Sequence, residues 1–402
     1  MMDFNFSKES LELQDKLKTF FVEHIYPNEE LYEKAIIDSG DPLHIPEILN
    51  ELKLKAKSEN LWNLFLPDNE YGYGLSNVDY APLAEITGHN WWAPEVFNCS
   101  APDTGNMEIL AEFGTAEQKK QWLEPLLEGE IRSCFAMTEP NVASSDATNI
   151  GSSIVSDGDN YVINGRKWWT SNAINPNAKI CIFMGVTNPD SPPYQRQSQV
   201  LVPMDSEGLS IIRPMQVFGY DDGYTGHPEL LFENVVVPKS NIIGGEGMGF
   251  KIAQARLGPG RIHHCMRAIG MAERALSLMI DRSLERETFG QKLAEQGVIQ
   301  DWIARSRIKI EEARLLTLKT AWLIDTVGKE EAKIEISSIK VSVVEAASYV
   351  IDKAIQTHGA MGLSQDTPLA RMSAGARVLR IADGPDEVHL RSIARREINK
   401  HR

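Results

Sequence analysis

The chain has 402 residues, of which 42% are hydrophobic and 24% charged, and this length is enough for two or three domains with their own cores. Its formal net charge is −15, and an acidic protein without a basic patch is repelled by phosphate, so we expect neither nucleic acid nor an anionic membrane as its partner. No stretch approaches the roughly 20 apolar residues that span a bilayer, and the first residues lack a targeting pattern, so a cytoplasmic protein is expected.

The first part of the chain, from residue 7 to about 130, has a helical pattern. Ser7 can cap a helix, and the apolar positions of that helix are Leu11, Leu13, Leu17, Phe20 and Phe21. Later, Thr115 and Gln118 have the spacing of a capping box. The buried stripe predicted to follow consists of Trp122, Leu123, Leu126 and Leu127.

Between residues 134 and 240 the pattern changes to short β-type segments separated by Pro, Gly, Asp and Asn. These segments are YVINGRKWWT, KICIFMGV, QVLVPM, LSIIRPM and ELLFENVVVP. Asn164 and Gly165 form a dipeptide that is typical of a two-residue hairpin turn, because both residues tolerate a positive φ. We therefore predict a compact, β-barrel-like domain with a hairpin at this dipeptide.

From about residue 250 the pattern is helical again. Two segments of about 30 residues follow each other, and long helices with short connections predict a four-helix bundle. The preceding GGEGMGF (residues 244–250) does not match GxGxxG and lacks a following strand, helix and strand, so we interpret it as a linker. The predicted fold class is α+β multidomain, with an N-terminal α-helical domain (1–133), a middle β-domain (134–245) and a C-terminal four-helix bundle (246–402).

We predict no metal site. The four cysteines, Cys99, Cys134, Cys181 and Cys265, are widely spaced. They form no CxxC pair and have no histidine at zinc-ligand spacing, which predicts free thiols in a reducing compartment. His263 and His264 are adjacent, so on a helix they face different directions and cannot form an i, i+4 metal pair.

Five motifs carry a resemblance to a known family. They are FAMTEPNVASSDATNI (135–150), KWWTSNA (167–173), RETFGQ (286–291), QTHGAMG (356–362) and ADGPDEVH (382–389). Together they closely resemble the acyl-CoA dehydrogenase family, in the family's order and spacing. RIHHCMRAIGMAERAL, AEQGVIQDWIARSRI and ADGPDEVH are similar to the branch of family members 10 and 11.

The resemblance implies an FAD enzyme. FAD would lie between the β-domain and the bundle, with its adenosine diphosphate end shared with a neighbouring subunit, which implies a homodimer or homotetramer. The implied reaction removes a proton from the α-carbon of an acyl-CoA and a hydride from the β-carbon to flavin N5. The product would be a trans-2-enoyl-CoA, and an electron-transfer flavoprotein would accept the electrons.

Asp383 matches the position at which most of the family carries a catalytic glutamate, so the resemblance implies that it is the base. Aspartate is one methylene shorter, so the backbone or the substrate must lie closer by roughly 1 Å. Some members carry the base on the first bundle helix instead, but the matching position here is Gly260. Asp386 and Glu387 compete locally, although as residues of an opening helical turn they also fit a structural role. Arg261 matches an arginine that holds the base ionised or oriented.

The resemblance also implies residues for the cofactor and substrate. Trp169 and Ser171 match positions at the isoalloxazine ring and near its N5. The other implied flavin residues are Phe135, Met137 and Thr138 on the pyrimidine side, and Arg286, Thr288, Phe289, Gln296, Gln356, Gly359 and Gly362 at the pyrophosphate and adenine. Ser144 matches a serine on the CoA chain, and Ser145 could share or take that role. His264 or His227 could contact an unusual acyl chain.

Two other functions remain open from the sequence. The related nitroalkane oxidases use an aspartate base at the corresponding place and pass electrons to oxygen, so oxygen reactivity would separate that activity from a dehydrogenase. A lipid-binding protein of the same fold would lack the flavin motifs or the base, and both are present here.

Overall fold

The computed structural model describes residues 5–402 apart from Asn69 and Asp221, and at 257–259 and 261 it leaves the side chains undescribed. Within these residues the helices are α1 (Lys8–Phe20), α2 (Glu29–Ser39), α3 (Glu47–Ser58), α4 (Asn77–Thr87), α5 (Ala93–Val96), α6 (Asp103–Phe113), α7 (Ala116–Gln118), α8 (Glu124–Leu127), α9 (Gly249–Glu285), α10 (Gly297–Val327), α11 (Lys333–His358), α12 (Leu369–Leu379) and α13 (Asp386–Asn399). The strands are β1 (Arg132–Ala136), β2 (Ser153–Asp157), β3 (Asn160–Lys167), β4 (Ala178–Val186), β5 (Gln197–Pro203), β6 (Leu209–Met215), β7 (His227–Pro238), β8 (Glu287–Thr288) and β9 (Gln291–Lys292).

The predicted caps of the N-terminal helices are confirmed. Ser7 Oγ accepts a hydrogen bond from the backbone N–H of Ser10 at 3.1 Å. Thr115 and Gln118 form the reciprocal capping box, with hydrogen bonds of 3.1 and 3.2 Å. Each cap satisfies backbone donors that the first helical turn leaves unpaired. Of the apolar positions predicted for α1, Leu11 is half exposed, whereas the other predicted positions are buried.

The middle of the chain forms a curled sheet with strand order β1-β4-β2-β3-β7-β6, in which β5 also pairs with β4. β1 and β4 are parallel, and β3 pairs antiparallel with both β2 and β7. The core of this sheet consists of fully buried side chains from several strands, among them Cys134, Ile163, Phe183, Val200, Phe232 and Val235. The strands β1 and β2 were not predicted, because each has only five residues and the segments around them are polar and irregular.

The predicted hairpin turn at Asn164 and Gly165 is wrong. Both residues lie inside β3, opposite β7, where the pairing register shifts between Ile163 and Gly165. Asn164 completes the pairing there, because its Oδ1 accepts from the backbone N–H of Asn234 at 2.8 Å. Gly165 is required for space and not for a positive φ, since a Cβ built on it would overlap the side chain of Ser152.

The C-terminal region contains the long helices that the sequence predicts. α10 has 31 residues and α11 has 26, and α11 is buried along most of its length and packs against α10, α12 and α13. The fold class is therefore confirmed: helical N-terminal and C-terminal regions with a curled sheet in the middle. The segment 244–250 connects β7 to α9 and contains three glycines with positive φ.

The chain divides into two compact units. The first unit contains Met1–Pro27, Gly74–Glu95 and Gly260–Arg402, and the second contains Asn28–Tyr73 and Val96–Pro259. The predicted domain boundaries remain a prediction. Among the described residues, no helix is both long and apolar enough to cross a membrane.

Candidate active site

Asp383, in the first unit, lies in the short turn between α12 and α13. Its φ is 56° and that of Gly384 is 103°. This left-handed conformation is uncommon outside glycine, although aspartate adopts it more readily than most residues. The side chain of Asp383 is 18% exposed, so the turn keeps its carboxylate mostly out of water.

The turn is fixed on both sides of Asp383. The buried Lys340 donates from Nζ to the carbonyl oxygen of Leu379, where α12 ends. His389 Nε2 lies 3.2 Å from the carbonyl oxygen of Asp383. A Cβ on Gly384 would lie 2.9 Å from the same nitrogen. Both the positive φ and the contact with His389 therefore require glycine after Asp383.

The two competing carboxylates have structural surroundings. Asp386 Oδ2 lies 2.6 Å from Arg380 Nη2, and the Asp386 side chain is 8% exposed. Glu387 is exposed in the first turn of α13, where a negative charge suits the helix dipole. Pro385 is the N-cap of this helix. Asp386 is committed to an ion pair, which leaves Asp383 as the better candidate for a base.

His264 on α9 contacts the carboxylate of Asp383. His264 Nε2 lies 3.4 Å from Asp383 Oδ2, and Arg267 Nη2 lies 3.3 Å from His264 Nδ1. A guanidinium only donates hydrogen bonds, so Nδ1 must accept, and Nε2 then carries the hydrogen that points to the carboxylate. A Cβ built on Gly260 would lie 3.8 Å from Asp383 Oδ2, so the backbone of α9 also comes close to the base.

The neighbours of His264 differ in what they contribute. The side chain of Arg261 lies outside the described residues, so its role remains a prediction. His263 points away from the turn, is almost fully buried and packs edge-on against Tyr80 at 4.9 Å. Burial, together with the nearby charges of Arg267 and His264, lowers the pKa of His263 to about 3. The adjacent histidines therefore face different directions, as predicted.

A second group of predicted site residues, in the second unit, follows β3. The strand ends at Lys167, so Trp168 and Trp169 lie just beyond it. Trp169 has a φ of 53° and is 38% exposed. Its ring lies 6.5 Å from that of Trp168 and 6.1 Å from that of His227. The chain thus turns sharply after β3 and leaves the Trp169 side chain partly exposed.

The hydroxyl group of Ser171 is part of a polar chain. Ser171 Oγ lies 2.7 Å from His227 Nδ1, and His227 Nε2 lies 3.1 Å from Asp222 Oδ2. His227 was considered from the sequence only as a possible contact of the acyl chain, and Asp222 was not considered at all.

The segment with Met137 and Thr138 is fastened to β3 by a buried lysine. Lys167 Nζ donates to Glu139 Oε1 at 2.7 Å and to the carbonyl oxygens of Met137 and Met184 at 2.9 and 2.7 Å. The carbonyl oxygen of Thr138 accepts from the backbone N–H of Trp168 at 3.0 Å. Burial lowers the pKa of Lys167 to about 8, although the carboxylate of Glu139 opposes this shift.

Glu139 also organises the loop that carries the two candidate serines. Its carboxylate accepts from the backbone N–H groups of Gly151 and Ser152, both at 2.9 Å. Ser144 Oγ accepts from the backbone N–H of Glu139 at 2.9 Å, so this hydroxyl closes the loop. Ser145 is exposed. The hydrogen-bonding geometry therefore distinguishes the two serines, which the sequence did not.

The remaining predicted flavin residues are spread over several elements. The ring of Phe135 lies 4.3 Å under the guanidinium of Arg256. Arg286 and Thr288 lie at the β8–β9 hairpin, and at its tip Phe289 has a φ of 50° and is 98% exposed.

The last predicted residues lie just before α10, in the last turn of α11 and directly after α11. Gln296 is the N-cap residue of α10, and Gln356 is exposed in the last turns of α11. Gly359 has a φ of 65°, and a Cβ on the buried Gly362 would lie 2.7 Å from the carbonyl oxygen of Ile355. Both glycines are therefore needed by the backbone itself, whatever ligand approaches them.

Three family models match this chain in order. They are the N-terminal domain of acyl-CoA dehydrogenase at residues 7–130, the middle domain at 134–235 and the C-terminal domain at 247–398. The chain belongs to the acyl-CoA dehydrogenase family. It is therefore an enzyme of the flavoprotein oxidoreductases, and the resemblance found in its motifs is confirmed.

Individual members of the family are similar over nearly the whole chain. The Mycobacterium tuberculosis protein named "Probable acyl-CoA dehydrogenase FadE2" is 55% identical over 100% of this chain and 98% of its own length. Human acyl-CoA dehydrogenase family member 11 is 54% identical over 98% of this chain, which spans only 50% of that protein. Butyryl-CoA dehydrogenase from Megasphaera elsdenii has a solved structure with a TM-score of 0.83, 26% identity and coverage of 99% and 100% of the two chains.

The motifs of the acyl-CoA dehydrogenase family did not reveal every residue of the candidate site. His264 and Lys167 acquire their partners, Asp383 and Glu139, from distant parts of the chain. For Lys167 a signal existed, since it begins the KWWTSNA motif and a lysine inside a buried strand needs an acidic partner. Asp222 stands in an irregular loop, where nothing in the sequence pattern distinguishes it.

Proposed function

We propose that this chain is an FAD-dependent acyl-CoA dehydrogenase that converts an acyl-CoA to a trans-2-enoyl-CoA. Asp383 removes the α-proton, the hydride passes to flavin N5, and an electron-transfer flavoprotein takes the electrons. The observation that carries the proposal is the carboxylate of Asp383, held in a left-handed turn with His264 at one of its two oxygens.

Removal of an α-proton needs a carboxylate with a defined orientation. His264 Nε2 lies 3.4 Å from Asp383 Oδ2, and this contact helps to orient the carboxylate that we assign to the α-proton. A donor beside a carboxylate favours its ionised form, so we assign to His264 the role of favouring an ionised Asp383 before the reaction. Gly260 adds no side chain beside the carboxylate, which suits the close approach that the shorter aspartate requires.

The residues of the second unit fit a flavin. Trp169 offers a partly exposed aromatic ring, and Ser171 places a hydroxyl group two residues away. The carbonyl oxygens of Met137 and Thr138 are engaged by Lys167 and Trp168, which fixes the backbone of the segment that we assign to the pyrimidine side. FAD, when bound, supplies the acceptor for the hydride.

The exposed hairpin fits the adenosine end of the same cofactor. Phe289 is 98% exposed, and Arg286 can bind a diphosphate through two parallel hydrogen bonds. We propose that a second copy of the chain shares this end of FAD, in a homodimer or homotetramer, with Gln296, Gln356, Gly359 and Gly362 as further contacts. For the CoA chain we favour Ser145, because the hydroxyl of Ser144 is engaged within its own loop.

The proposed base is tested with Asp383→Asn, which keeps the shape of the side chain and removes its basicity. We expect the variant to keep its flavin and to lose about 10²- to 10⁴-fold in the rate of flavin reduction, the usual contribution of a positioned base. The measurement is anaerobic mixing with acyl-CoAs of increasing length, followed by the flavin absorbance.

Glu387→Gln is the matched control, because it removes an exposed carboxylate four residues away without touching the Asp383 turn. It should reduce at the rate of the unmodified enzyme. A fast Asp383→Asn variant together with a slow Glu387→Gln variant would move the base to Glu387.

An oxidase on this scaffold is the second candidate, because the base is an aspartate, as in nitroalkane oxidases. The reduced enzyme separates the two. Rapid reoxidation by oxygen with a nitroalkane as substrate would support the oxidase, and slow reoxidation with an acyl-CoA supports the dehydrogenase.

A further inference from the structure

Ser171, His227 and Asp222 form a chain of contacts that the proposed reaction does not explain. Ser171 Oγ lies 2.7 Å from His227 Nδ1, and His227 Nε2 lies 3.1 Å from Asp222 Oδ2. The side chains of His227 and Asp222 are only 21% and 25% exposed. The three residues come from three separate segments: the turn after β3, the start of β7, and the loop before β7.

Backbone hydrogen bonds hold Ser171 opposite His227. On one side of the pair, the N–H of Thr170 donates to the carbonyl oxygen of Pro228 at 3.1 Å. On the other side, the N–H of Asn172 donates to the carbonyl oxygen of Gly226 at 2.9 Å. The contact between the two side chains is therefore built into the fold and is not a chance meeting of surface groups.

The far end of this turn is also anchored. Asn172 has a φ of 71° and donates from Nδ2 to the carbonyl oxygen of Ser133 at 3.1 Å and to Asp103 Oδ2 at 3.3 Å. Asn172 and Asp103 are both buried. The backbone on both sides of Ser171 is thus held in place, which fixes the position of its hydroxyl oxygen. The direction of the hydroxyl hydrogen then depends on the neighbouring side chains.

The carboxylate decides that direction. An ionised carboxylate accepts hydrogen bonds and cannot donate them, so His227 Nε2 must carry a hydrogen toward Asp222. In a neutral imidazole the other ring nitrogen is then an acceptor. Nδ1 accordingly accepts from Ser171, whose hydroxyl hydrogen points to His227. The remaining lone pairs of Ser171 Oγ are directed elsewhere.

We propose that Asp222 and His227 hold the Ser171 hydroxyl hydrogen inward, so that Ser171 presents an acceptor to the flavin near N5. This inference rests on the proposed function, which places the flavin ring against Trp169 and Ser171. An acceptor at this place stabilises the reduced ring, whose N5 bears a hydrogen, and opposes the lone pair that N5 carries in the oxidised ring. Asp222 and His227 are then positioning residues that favour reduction of the cofactor.

The expected size follows from one hydrogen bond. A net hydrogen bond contributes about 0.5 to 1.5 kcal/mol, so its loss shifts an equilibrium by up to about tenfold. For a two-electron couple, a tenfold shift corresponds to about 30 mV. The effect should therefore be visible in the reduction equilibrium even where the rate of turnover is limited by another step.

The first test is the tautomer of His227, read from the ¹⁵N chemical shifts of the histidine-labelled full chain. We expect a protonated Nε2 and an unprotonated Nδ1, with the signals assigned through His227→Gln. Asp222→Asn should shift the population toward a protonated Nδ1. Asparagine tolerates the left-handed backbone of this position, where φ is 53°, so the loop is expected to survive the exchange.

Two outcomes of this test overturn the proposal. A wild-type His227 that carries hydrogens on both nitrogens would turn the Ser171 hydroxyl outward as a donor. A wild-type His227 with its hydrogen on Nδ1 would do the same. His89, whose Nδ1 lies 2.9 Å from the hydroxyl of Tyr26, provides a second histidine in a hydroxyl contact within the same spectrum and should be unchanged in Asp222→Asn.

The second test is the reduction equilibrium of the bound flavin, measured against a reference dye with a chemical reductant and without any acyl-CoA. Ser171→Ala and Asp222→Asn should each shift it about tenfold toward the oxidised flavin, whereas Ser171→Thr, which keeps the hydroxyl group, should stay within about twofold. Equal equilibria in all four proteins would overturn the proposal, because a purely structural role would not move them.

The two proposals fail in different ways. A protein that binds flavin with the expected tautomer and shift, but oxidises no acyl-CoA, supports the present inference and contradicts the proposed reaction. A protein that binds no flavin under any condition overturns both.

Discussion

His264 contacts the carboxylate of Asp383, the base that the sequence suggests only by its position in a motif. Its Nδ1 lies 3.3 Å from Arg267 Nη2 and its Nε2 lies 3.4 Å from Asp383 Oδ2. The motif RIHHCMRAIG indicated a helix with two histidines, but not which of them would reach the carboxylate. That depends on the turn between α12 and α13, more than a hundred residues later, so no local pattern contains it.

Replacement of His264 by leucine should slow flavin reduction without loss of flavin. A hydrogen bond to a charged group contributes about 1.5 to 3 kcal/mol, so we expect a rate about 10- to 100-fold lower at saturating acyl-CoA. His264→Gln keeps an N–H donor at a similar reach and should stay within a few fold of the wild type. The measurement is single-turnover flavin reduction, with flavin content and thermal midpoint recorded for each variant.

A structural role for His264 would give a different pattern. In that case both variants would lose flavin or thermal stability together, and glutamine would not restore the rate. Equal rates in His264→Leu and the wild type would show that the carboxylate of Asp383 is oriented by other groups.

At the scale of elements, a turn was predicted at a place where the structure has a continuous strand, and the cause lies in two residues. Asn164 and Gly165 have the composition of a hairpin turn, yet β3 runs through both residues to Lys167. The register shift opposite β7 uses Asn164 to reach the backbone of Asn234. Gly165 is needed because Ser152 lies against it. The strand therefore needs Asn164 for a hydrogen bond and Gly165 for space, and the same two residue types are typical of a hairpin turn. Only the positions of the neighbouring strands distinguish the two cases.

Gly165→Ala should destabilise the protein, because the new methyl group would overlap the side chain and approach the backbone of Ser152. Overpacking of this kind typically costs about 1 to 3 kcal/mol. We expect a lower midpoint in urea unfolding. Ser152→Gly in the same chain removes the overlapping side-chain atoms and should recover part of the loss.

Gly297→Ala is the control for this experiment. A Cβ at Gly297 meets nothing within 4 Å, and the residue begins α10, so alanine should be neutral or slightly stabilising. A Gly165→Ala variant as stable as Gly297→Ala would mean that β2 and β3 can separate without cost.

For the whole molecule, the order and type of its regions could be predicted, whereas its polar contacts could not. Helical periodicity, β-type segments and the five motifs are each contained in a short stretch, so they indicate fold class and family directly. The pairs Lys167–Glu139 and Ser171–His227 join stretches that lie 28 and 56 residues apart. Such pairs form only when the chain is folded, so the motifs predict which residues belong to the candidate site but not which of them contact each other.

Acid should destabilise the folded chain through its buried histidines. Burial lowers the pKa of His89 to about 4 and that of His263 to about 3, against an ordinary value near 6.5. Between about pH 6.5 and pH 4 the unfolded chain binds protons that the folded chain does not, so stability falls as the pH falls. Each histidine should cost on the order of 2 to 3 kcal/mol at pH 4.5.

His89→Gln isolates one of these two contributions. Glutamine can still accept from the hydroxyl of Tyr26, but it adds no proton in the unfolded chain, so the difference between the urea midpoints at pH 7 and pH 4.5 should be smaller than in the wild type. His401→Gln, at the exposed end of the chain, should leave that difference unchanged. If His89→Gln kept the full difference, the acid sensitivity would have to come from carboxylates such as Glu139 and Glu273, whose pKa values their cationic partners hold below the ordinary value against the opposing effect of burial.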